Sequence, residues 1–103
     1  MLQKALVPLV LAAACVAIPA QASEAIVKKA RCVSCHAVDK KMVGPAFKDI
    51  AAKYAGQKDA AAKLADTVIK GGTGVWGQIP MPANAVSKDE ADKLVAWVLA
   101  TKK

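Results

Sequence analysis

The chain has 103 residues, with 15 Lys and Arg against 8 Asp and Glu, which gives a formal charge of +7 at neutral pH. This length allows one small domain, whose hydrophobic core is marginal unless something reinforces it. Basic residues occur in runs of no more than two, and aromatic residues make up only 4% of the chain. We therefore expect no nucleic acid partner, and the charge favours solubility or steering toward an acidic partner.

Residues 1–22 have the pattern of a secretory signal peptide. Lys4 gives a short positive region, residues 5–18 are apolar apart from one proline, and residues 20–22 form a small-x-small cleavage site. The apolar stretch is too short to span a membrane. We expect cleavage to leave a single domain of residues 23–103 in the periplasm, without a stable membrane anchor.

Cys15 leaves one alternative open for this segment. Residues 12–15 faintly resemble a lipoprotein cleavage box, which would retain a lipid anchor on Cys15, but the usual leucine three residues before the cysteine is absent. Removal of the signal also removes Cys15, so that only Cys32 and Cys35 remain.

Residues 32–36 have the sequence Cys-Val-Ser-Cys-His, which is the C-x-x-C-H spacing of a c-type haem attachment site. Cys32 and Cys35 would add to the haem vinyl groups as thioethers. His36, the only histidine of the chain, would ligate the iron. We predict one covalently attached haem c per chain, which would also reinforce a small core.

A C-x-x-C pair also occurs in redox dithiols and in zinc sites. A redox dithiol usually lies at the start of a helix in a βαβ unit, and no strand pattern surrounds this one. A structural zinc site needs four ligands, and residues 23–103 contain no third cysteine and no second histidine. The sequence is therefore more consistent with haem attachment.

The remainder of the domain is predicted as helices and loops. Ser23 can cap a first helix that ends near residues 30–31, and helical spacing of apolar residues continues over residues 46–54 and 59–70. The tandem Gly71-Gly72 stops the latter helix, and a loop rich in Gly and Pro follows.

The last predicted helix has the clearest boundaries. Ser87 and Glu90 match a capping box at its start, while Lys102 and Lys103 complement its C-terminal end. No internal repeat or second domain is apparent. The pattern predicts an all-α fold of four to five short helices wrapped around one covalently bound haem.

A sulfur atom is the natural second axial ligand, because the chain has no other histidine. Met81 lies between two prolines that stiffen its backbone, whereas Met42 follows His36 by only six residues and would have difficulty reaching the opposite haem face. A core-filling role is the other interpretation of Met81. His36 and Met81 together would leave no open position on the iron, which favours electron transfer over catalysis.

These motifs resemble those of the small bacterial class I cytochromes c, specifically the cytochrome c-551 group, also called cytochrome c8. The resemblance covers residues 24–103. The matching stretches are residues 32–37, 41–46, 74–77, 79–82 and 84–87.

The resemblance implies roles for several residues around the haem. The carbonyl of Pro45 should accept a hydrogen bond from His36, the indole N–H of Trp76 should donate to a haem propionate, and Asn84 should hydrogen-bond near the Met81 sulfur. The first and last helices should cross and pack.

One position departs from this pattern. Members of the group often place an arginine of the third helix region against a propionate. Residues 23–103 contain only Arg31, and Lys70 is a candidate for this role.

The resemblance further implies a soluble, monomeric electron carrier and not an enzyme. It would take one electron from a membrane donor such as a bc1-type complex and pass it to nitrite reductase or a terminal oxidase, in a denitrifying or aerobic respiratory chain. Docking would be transient, at a haem edge surrounded by Val33, Val43 and residues 80–82, with lysines at the rim.

Two other functional classes stay open on the residues alone. A haem peroxidase or gas-binding sensor would need an open or labile sixth position on the iron, which Met81 argues against. A structural subunit of a larger complex would need a retained anchor or an extra interaction segment, and apart from the faint lipoprotein box at residues 12–15 the sequence shows neither pattern.

Overall fold

The computed structural model describes residues 20–101, with side chains from Ser23 onward. This part of the chain forms four α-helices and one short 3-10 helix, and none of its residues belongs to a β-strand. The only sheet-like pairing among residues 20–101 is an isolated antiparallel bridge between Gly72 and Met81. The helices are α1 (Ala20–Lys29), a 3-10 turn (Cys32–Ser34), α2 (Phe47–Tyr54), α3 (Ala60–Lys70) and α4 (Lys88–Ala100). The predicted all-α class is confirmed.

Helix α4 is the element on which the other α-helices pack, since α1, α2 and α3 all contact it. Its apolar residues recur at spacings of three and four, so they form one stripe that is buried. This stripe consists of Ala91, Leu94, Val95 and Val98. The opposing core side chains are Val27 of α1, Phe47 and Ile50 of α2, and Ala65 and Val68 of α3. Removal of these apolar side chains from water is the main driving force for the fold.

Helix α1 differs from the sequence prediction at both ends. It begins at Ala20, so Ser23 lies inside the helix and the predicted cap at Ser23 is wrong for the full chain. Residues 20–22 belong to the helix, so the N–H groups near Ser23 do not need a side-chain cap. The helix ends at Lys29, shortly before Arg31 adopts a left-handed φ of 60°.

Several predictions from the sequence lie at the ends of the chain. Residues 1–19 and the two lysines Lys102 and Lys103 are outside the described residues, so cleavage after residue 22 stays a prediction. No helix among residues 20–101 is long and apolar enough to cross a membrane. Helices α2 and α3 begin one residue later than predicted, and Gly71 ends α3 as expected.

The N-terminus of α4 carries the predicted capping box. The backbone N–H of Glu90 donates to Ser87 Oγ over 3.1 Å, and the backbone N–H of Ser87 donates to Glu90 Oε1 over 3.3 Å. The other carboxylate oxygen of Glu90 lies 3.3 Å from Lys29 Nζ of α1. The Ser87 N–H, followed by Lys29, holds the pKa of Glu90 below its usual range.

We predict that Glu90→Gln lowers the free energy of unfolding at neutral pH and that this loss fades on acidification. A carboxylate with a depressed folded-state pKa contributes stability above its unfolded pKa, and this contribution disappears as the pH falls through the folded-state pKa. Denaturant unfolding between neutral pH and roughly pH 3 measures it.

Asp89→Asn is the matched control, because it removes the same charge from the first turn of α4 without touching the capping box. A pH-independent difference between wild type and Glu90→Gln would contradict the prediction.

Candidate cofactor site

The Cys-x-x-Cys-His segment is folded into a tight turn directly after α1. The backbone N–H groups of Cys35 and His36 donate to the carbonyl of Cys32 over 3.2 and 2.9 Å. Both cysteines are free thiols of intermediate exposure, and Cys32 packs against the hydrophobic core. The turn thus presents the two sulfur atoms and the imidazole from one short stretch of backbone.

The surroundings of Cys32 disfavour the redox-dithiol interpretation. Burial raises the pKa of the Cys32 thiol, the nearby Cys35 raises it further, and a backbone hydrogen bond only partly offsets both effects. Redox-active cysteines have lowered pKa values, because the thiolate is the reactive form. Cys32 is therefore a protonated thiol at neutral pH, unlike the nucleophile of a thiol oxidoreductase.

The imidazole of His36 is held in one tautomer by a backbone carbonyl. His36 is only 8% exposed, and its Nδ1 atom lies 2.7 Å from the carbonyl oxygen of Pro45. A carbonyl can only accept, so Nδ1 carries a proton, and in the neutral ring Nε2 then has the free lone pair. A neutral imidazole of this kind is a metal ligand whose basicity is increased by the carbonyl behind it.

Two neighbours fix the plane of the His36 ring. The Phe47 ring stacks on it with centroids 5.2 Å apart and an interplanar angle of 24°. A Cβ atom at Gly44 would lie 2.5 Å from His36 Cε1, so only glycine allows the backbone this close to the ring. Phe47 in turn meets Trp97 of α4 edge-on at 5.5 Å, which connects the imidazole to the central helix.

The backbone also holds the His36 segment against α2. The N–H groups of Phe47 and Lys48, at the start of α2, donate to the carbonyls of Ala37 and Val38 over 2.9 and 3.0 Å. Helix α2 has no side-chain cap, so these carbonyls satisfy two of its free donors. The segment that carries His36 therefore caps the helix that carries Phe47.

We predict that Gly44→Ala displaces the His36 ring and lowers the free energy of unfolding of the holoprotein by about 1–3 kcal/mol, the usual cost of overpacking. Gly44 does not have a positive φ, so the effect is steric. Gly72→Ala is the control, since its Cβ would meet only Thr67 Cγ2 at 3.4 Å. Denaturant unfolding measures the stability, and the optical spectrum reports the axial ligands. Equal losses in the two variants would contradict this account.

Met81 is supplied by a segment that pairs with the end of α3. The Met81 N–H donates to the Gly72 carbonyl over 2.7 Å, and the Gly72 N–H donates to the Met81 carbonyl over 3.0 Å. The Met81 side chain is half-buried against the core, whereas that of Met42 is exposed. This difference favours Met81 as the residue with a fixed position.

Asn84 connects the same segment to α3. Its backbone N–H and its Nδ2 group donate to the Val68 carbonyl over 3.0 and 3.1 Å, and Nδ2 also lies 3.3 Å from the Pro82 carbonyl. These bonds satisfy a carbonyl near the end of α3 and fix the chain after Met81. A hydrogen bond from Asn84 toward the Met81 sulfur stays a prediction.

Gly71 has a second role that the sequence analysis missed. It adopts a φ of 79°, and a Cβ atom there would lie 2.6 Å from the Met81 carbonyl oxygen and 2.9 Å from the Ala83 nitrogen. The end of α3 and the Met81 segment can approach this closely only because Gly71 has no side chain. The two glycines predicted the end of a helix, but nothing in the sequence indicated that Gly71 lies against the Met81 segment.

We predict that Gly71→Ala destabilises the holoprotein more than Gly56→Ala. Both glycines have φ values near 80°, so each alanine meets the left-handed backbone penalty of about 1–2 kcal/mol. Only Gly71 adds a steric clash, because nothing lies within 4 Å of a Cβ at Gly56. Only Gly71→Ala should also weaken the sulfur-to-iron absorption band of the oxidised protein, since it displaces Met81. Equal effects of the two substitutions would rule this out.

Trp76 lies in the loop between α3 and α4 and is 44% exposed. The ammonium of Lys53 on α2 lies over its ring, 5.3 Å from the centroid. Lys70, the basic residue suggested for a propionate from the sequence, instead lies 3.4 Å from Asp66 Oδ2 on its own helix.

The residues present fit a haem. His36 offers a free Nε2, two thiols adjoin it, and the Met81 side chain packs on the same hydrophobic core as Cys32. Several large apolar side chains nearby in sequence are exposed, as expected of surface that an apolar disc would cover in part. They are Val33, Val38, Met42, Val43, Val75, Trp76 and Ile79.

The chain is similar to several known proteins over most of its length. A family model described as cytochrome c matches residues 20–102. Cytochrome c-551 of Pseudomonas aeruginosa is 58% identical over 83 residues, which cover 81% of this chain and 80% of the relative. Cytochrome c-552 of Nitrosomonas europaea is 54% identical over 84 residues, covering 81% and 82%. The crystal structure of wild-type Nitrosomonas europaea cytochrome c552 superposes with a TM-score of 0.74 at 52% identity, covering 77% of this chain and 99% of that one.

Proposed function

The chain belongs to the cytochrome c family, and on this premise we propose that it is a soluble periplasmic one-electron carrier with His36/Met81 ligation. As a member of this family it carries one covalently attached haem c and is an electron-transfer protein, not an enzyme. The export signal over residues 1–22 supports the periplasmic location, with a mature domain of residues 23–103.

Four residues hold the haem and its iron in the proposed ligand set. Cys32 and Cys35 hold the cofactor by thioether bonds, and His36 and Met81 bind the iron from two separate segments. The haem, when bound, supplies an iron that changes between Fe(II) and Fe(III). The protein keeps the two ligand-bearing segments in place, so that little rearrangement accompanies the change in charge.

The observation that carries this proposal is the 2.7 Å contact between His36 Nδ1 and the Pro45 carbonyl. It prepares Nε2 as the free ligand atom, directly after two cysteines at thioether spacing. A hydrogen bond at Nδ1 orients the ring and increases the basicity of Nε2, as is usual for metal-ligating histidines.

The proposed partners are a bc1-type donor and an acceptor such as nitrite reductase or a terminal oxidase. The chain that connects this donor and acceptor would be a denitrifying or an aerobic respiratory chain. The positive charge of the chain and the exposed Val33 and Val43 support brief docking at the haem edge to an acidic surface. We also propose that Trp76 donates its indole N–H to a haem propionate.

The test is an optical spectrum of the protein isolated from the periplasm, with a haem-type assay on denatured material and an intact mass. We expect covalent haem c on a chain beginning at Ser23, and the weak sulfur-to-iron band in the oxidised form. Met81→Ala should abolish that band and allow carbon monoxide to bind the reduced protein.

Met42→Ala is the matched control and should keep the band. Strong carbon monoxide binding by the wild-type protein would overturn the carrier function, and loss of the band in Met42→Ala would overturn the assignment of Met81.

A further inference from the structure

Three aromatic rings connect the proposed iron ligand to the central helix. The rings of His36 and Phe47 are stacked, with centroids 5.2 Å apart and an interplanar angle of 24°. The Trp97 ring of α4 meets Phe47 at 5.5 Å and 86°, which is an edge-on contact. Trp97 is partly buried and packs against the hydrophobic core. A continuous path of ring contacts thus runs from the imidazole to α4.

The hydrogen bond from His36 Nδ1 to the Pro45 carbonyl does not fix the imidazole by itself. A hydrogen bond tolerates a range of angles, so the ring can still tilt about Nδ1. The Gly44 backbone limits this tilt where it lies close to Nδ1, Cε1 and Nε2. The stacked Phe47 ring covers one face of the imidazole and limits the tilt toward that face. The orientation of His36 therefore depends on how firmly the Phe47 ring is held.

The backbone and the ring of Phe47 are held by different contacts. Its backbone N–H donates to the Ala37 carbonyl over 2.9 Å, which fixes the main chain at the start of α2. Its side chain is buried, and Trp97 meets its ring on the α4 side. Edge-on aromatic pairs have a preferred geometry that contacts with aliphatic side chains lack. Trp97 thus restricts the tilt of the Phe47 ring in addition to filling space.

We propose that Trp97 is a positioning residue for the iron ligand. It acts through Phe47 and keeps the His36 ring at the tilt in which Nδ1 donates to the Pro45 carbonyl. This inference rests on the proposed function, because it takes Nε2 of His36 to bind the iron. Since the hydrogen bond at Nδ1 increases the basicity of Nε2, loss of the Trp97 ring lowers the basicity of a ligand atom that Trp97 does not contact.

The experiment is hydrogen exchange of the His36 Nδ1–H, followed by NMR spectroscopy of the reduced holoprotein. This proton exchanges only when it leaves the Pro45 carbonyl, so its exchange rate reports how often the ring opens. Trp97→Leu should raise the rate by on the order of twofold to tenfold, the equilibrium factor that corresponds to one aromatic pair. Trp97→Phe retains a ring beside Phe47 and should give a smaller increase.

Tyr54→Leu is the matched control, because it also replaces a partly buried aromatic residue of this core by leucine. Tyr54 is the last residue of α2 and lines a groove with Leu99, and neither ring contact of the proposed path involves it. The backbone amides of Leu94 and Val95 inside α4 report global unfolding in each variant. Equal rate increases at Nδ1–H and at these amides overturn the proposal, as do equal effects of Trp97→Leu and Tyr54→Leu at Nδ1–H.

Phe47→Leu tests whether Trp97 acts through Phe47. If it does, Phe47→Leu raises the exchange rate by itself, and the addition of Trp97→Leu changes the rate little further. Independent effects that multiply in the double variant overturn the path through Phe47. If Phe47→Leu yields no holoprotein, the comparison of Trp97→Leu and Trp97→Phe with Tyr54→Leu still decides whether Trp97 positions the imidazole.

A redox titration of the same variants adds a second readout. A less basic Nε2 stabilises Fe(III) less, so Trp97→Leu should lower the Fe(III)/Fe(II) ratio at a given solution potential. Tyr54→Leu should leave this ratio unchanged. An unchanged or higher ratio in Trp97→Leu overturns the effect of Trp97 on the ligand atom.

The optical spectrum separates this inference from the proposed function. Wild-type protein without covalent haem overturns the proposed function and this inference with it. Wild-type protein with covalent haem but without the sulfur-to-iron band overturns the ligation by Met81. If the wild-type protein has both features and Trp97→Leu keeps its exchange rate and potential, the role of Trp97 alone is overturned.

Discussion

The hydrogen bond from His36 Nδ1 to the Pro45 carbonyl is the contact on which the site depends. It sets the tautomer and leaves Nε2 as the free ligand atom. It can form only because Gly44 lets the backbone lie against the ring and Phe47 covers the ring from α2. The His36 imidazole is thus held by three constraints: the Pro45 carbonyl, the missing side chain at Gly44 and the stacked ring of Phe47.

This arrangement is continuous with the hydrophobic core. Phe47 meets Trp97, and α4 packs against α1, α2 and α3. A movement of the His36 ring would therefore disturb Phe47 and the helix contacts behind it. For a small domain, this coupling means that the residues that orient the ligand also contribute to stability, and core and site are not separate parts of the molecule.

The Met81 segment is held by different means, chiefly by backbone. Paired hydrogen bonds with Gly72, a close approach at Gly71 and the contacts of Asn84 with Val68 attach it to the end of α3. Helix α3 packs on α4 as α2 does, so the segments of both proposed axial ligands are attached to helices that pack on one central helix. An electron carrier benefits from this common support, because its ligands should keep their positions when the iron changes charge. The ion pairs of Lys28, Lys63 and Lys88 on the helix surfaces are exposed and contribute little to this rigidity.

The sequence by itself determined the chemistry of the site and most of the helices. Cys32, Cys35 and His36 form a local motif, and Ser87 with Glu90 form a local cap, so spacing along the chain was enough to recognise both. The predicted N-cap at Ser23 was wrong, because a residue can cap a helix only if the helix does not continue before it. The plane of the His36 ring, the close approach of Gly71 to Met81 and the Phe47–Trp97 contact could be known only from the tertiary structure. The same holds for the contact of Lys53 with Trp76 and for the pairing of Lys70 with Asp66. Most of these contacts join residues far apart in sequence, and all depend on how the helices pack and how the backbone turns, which no local pattern records.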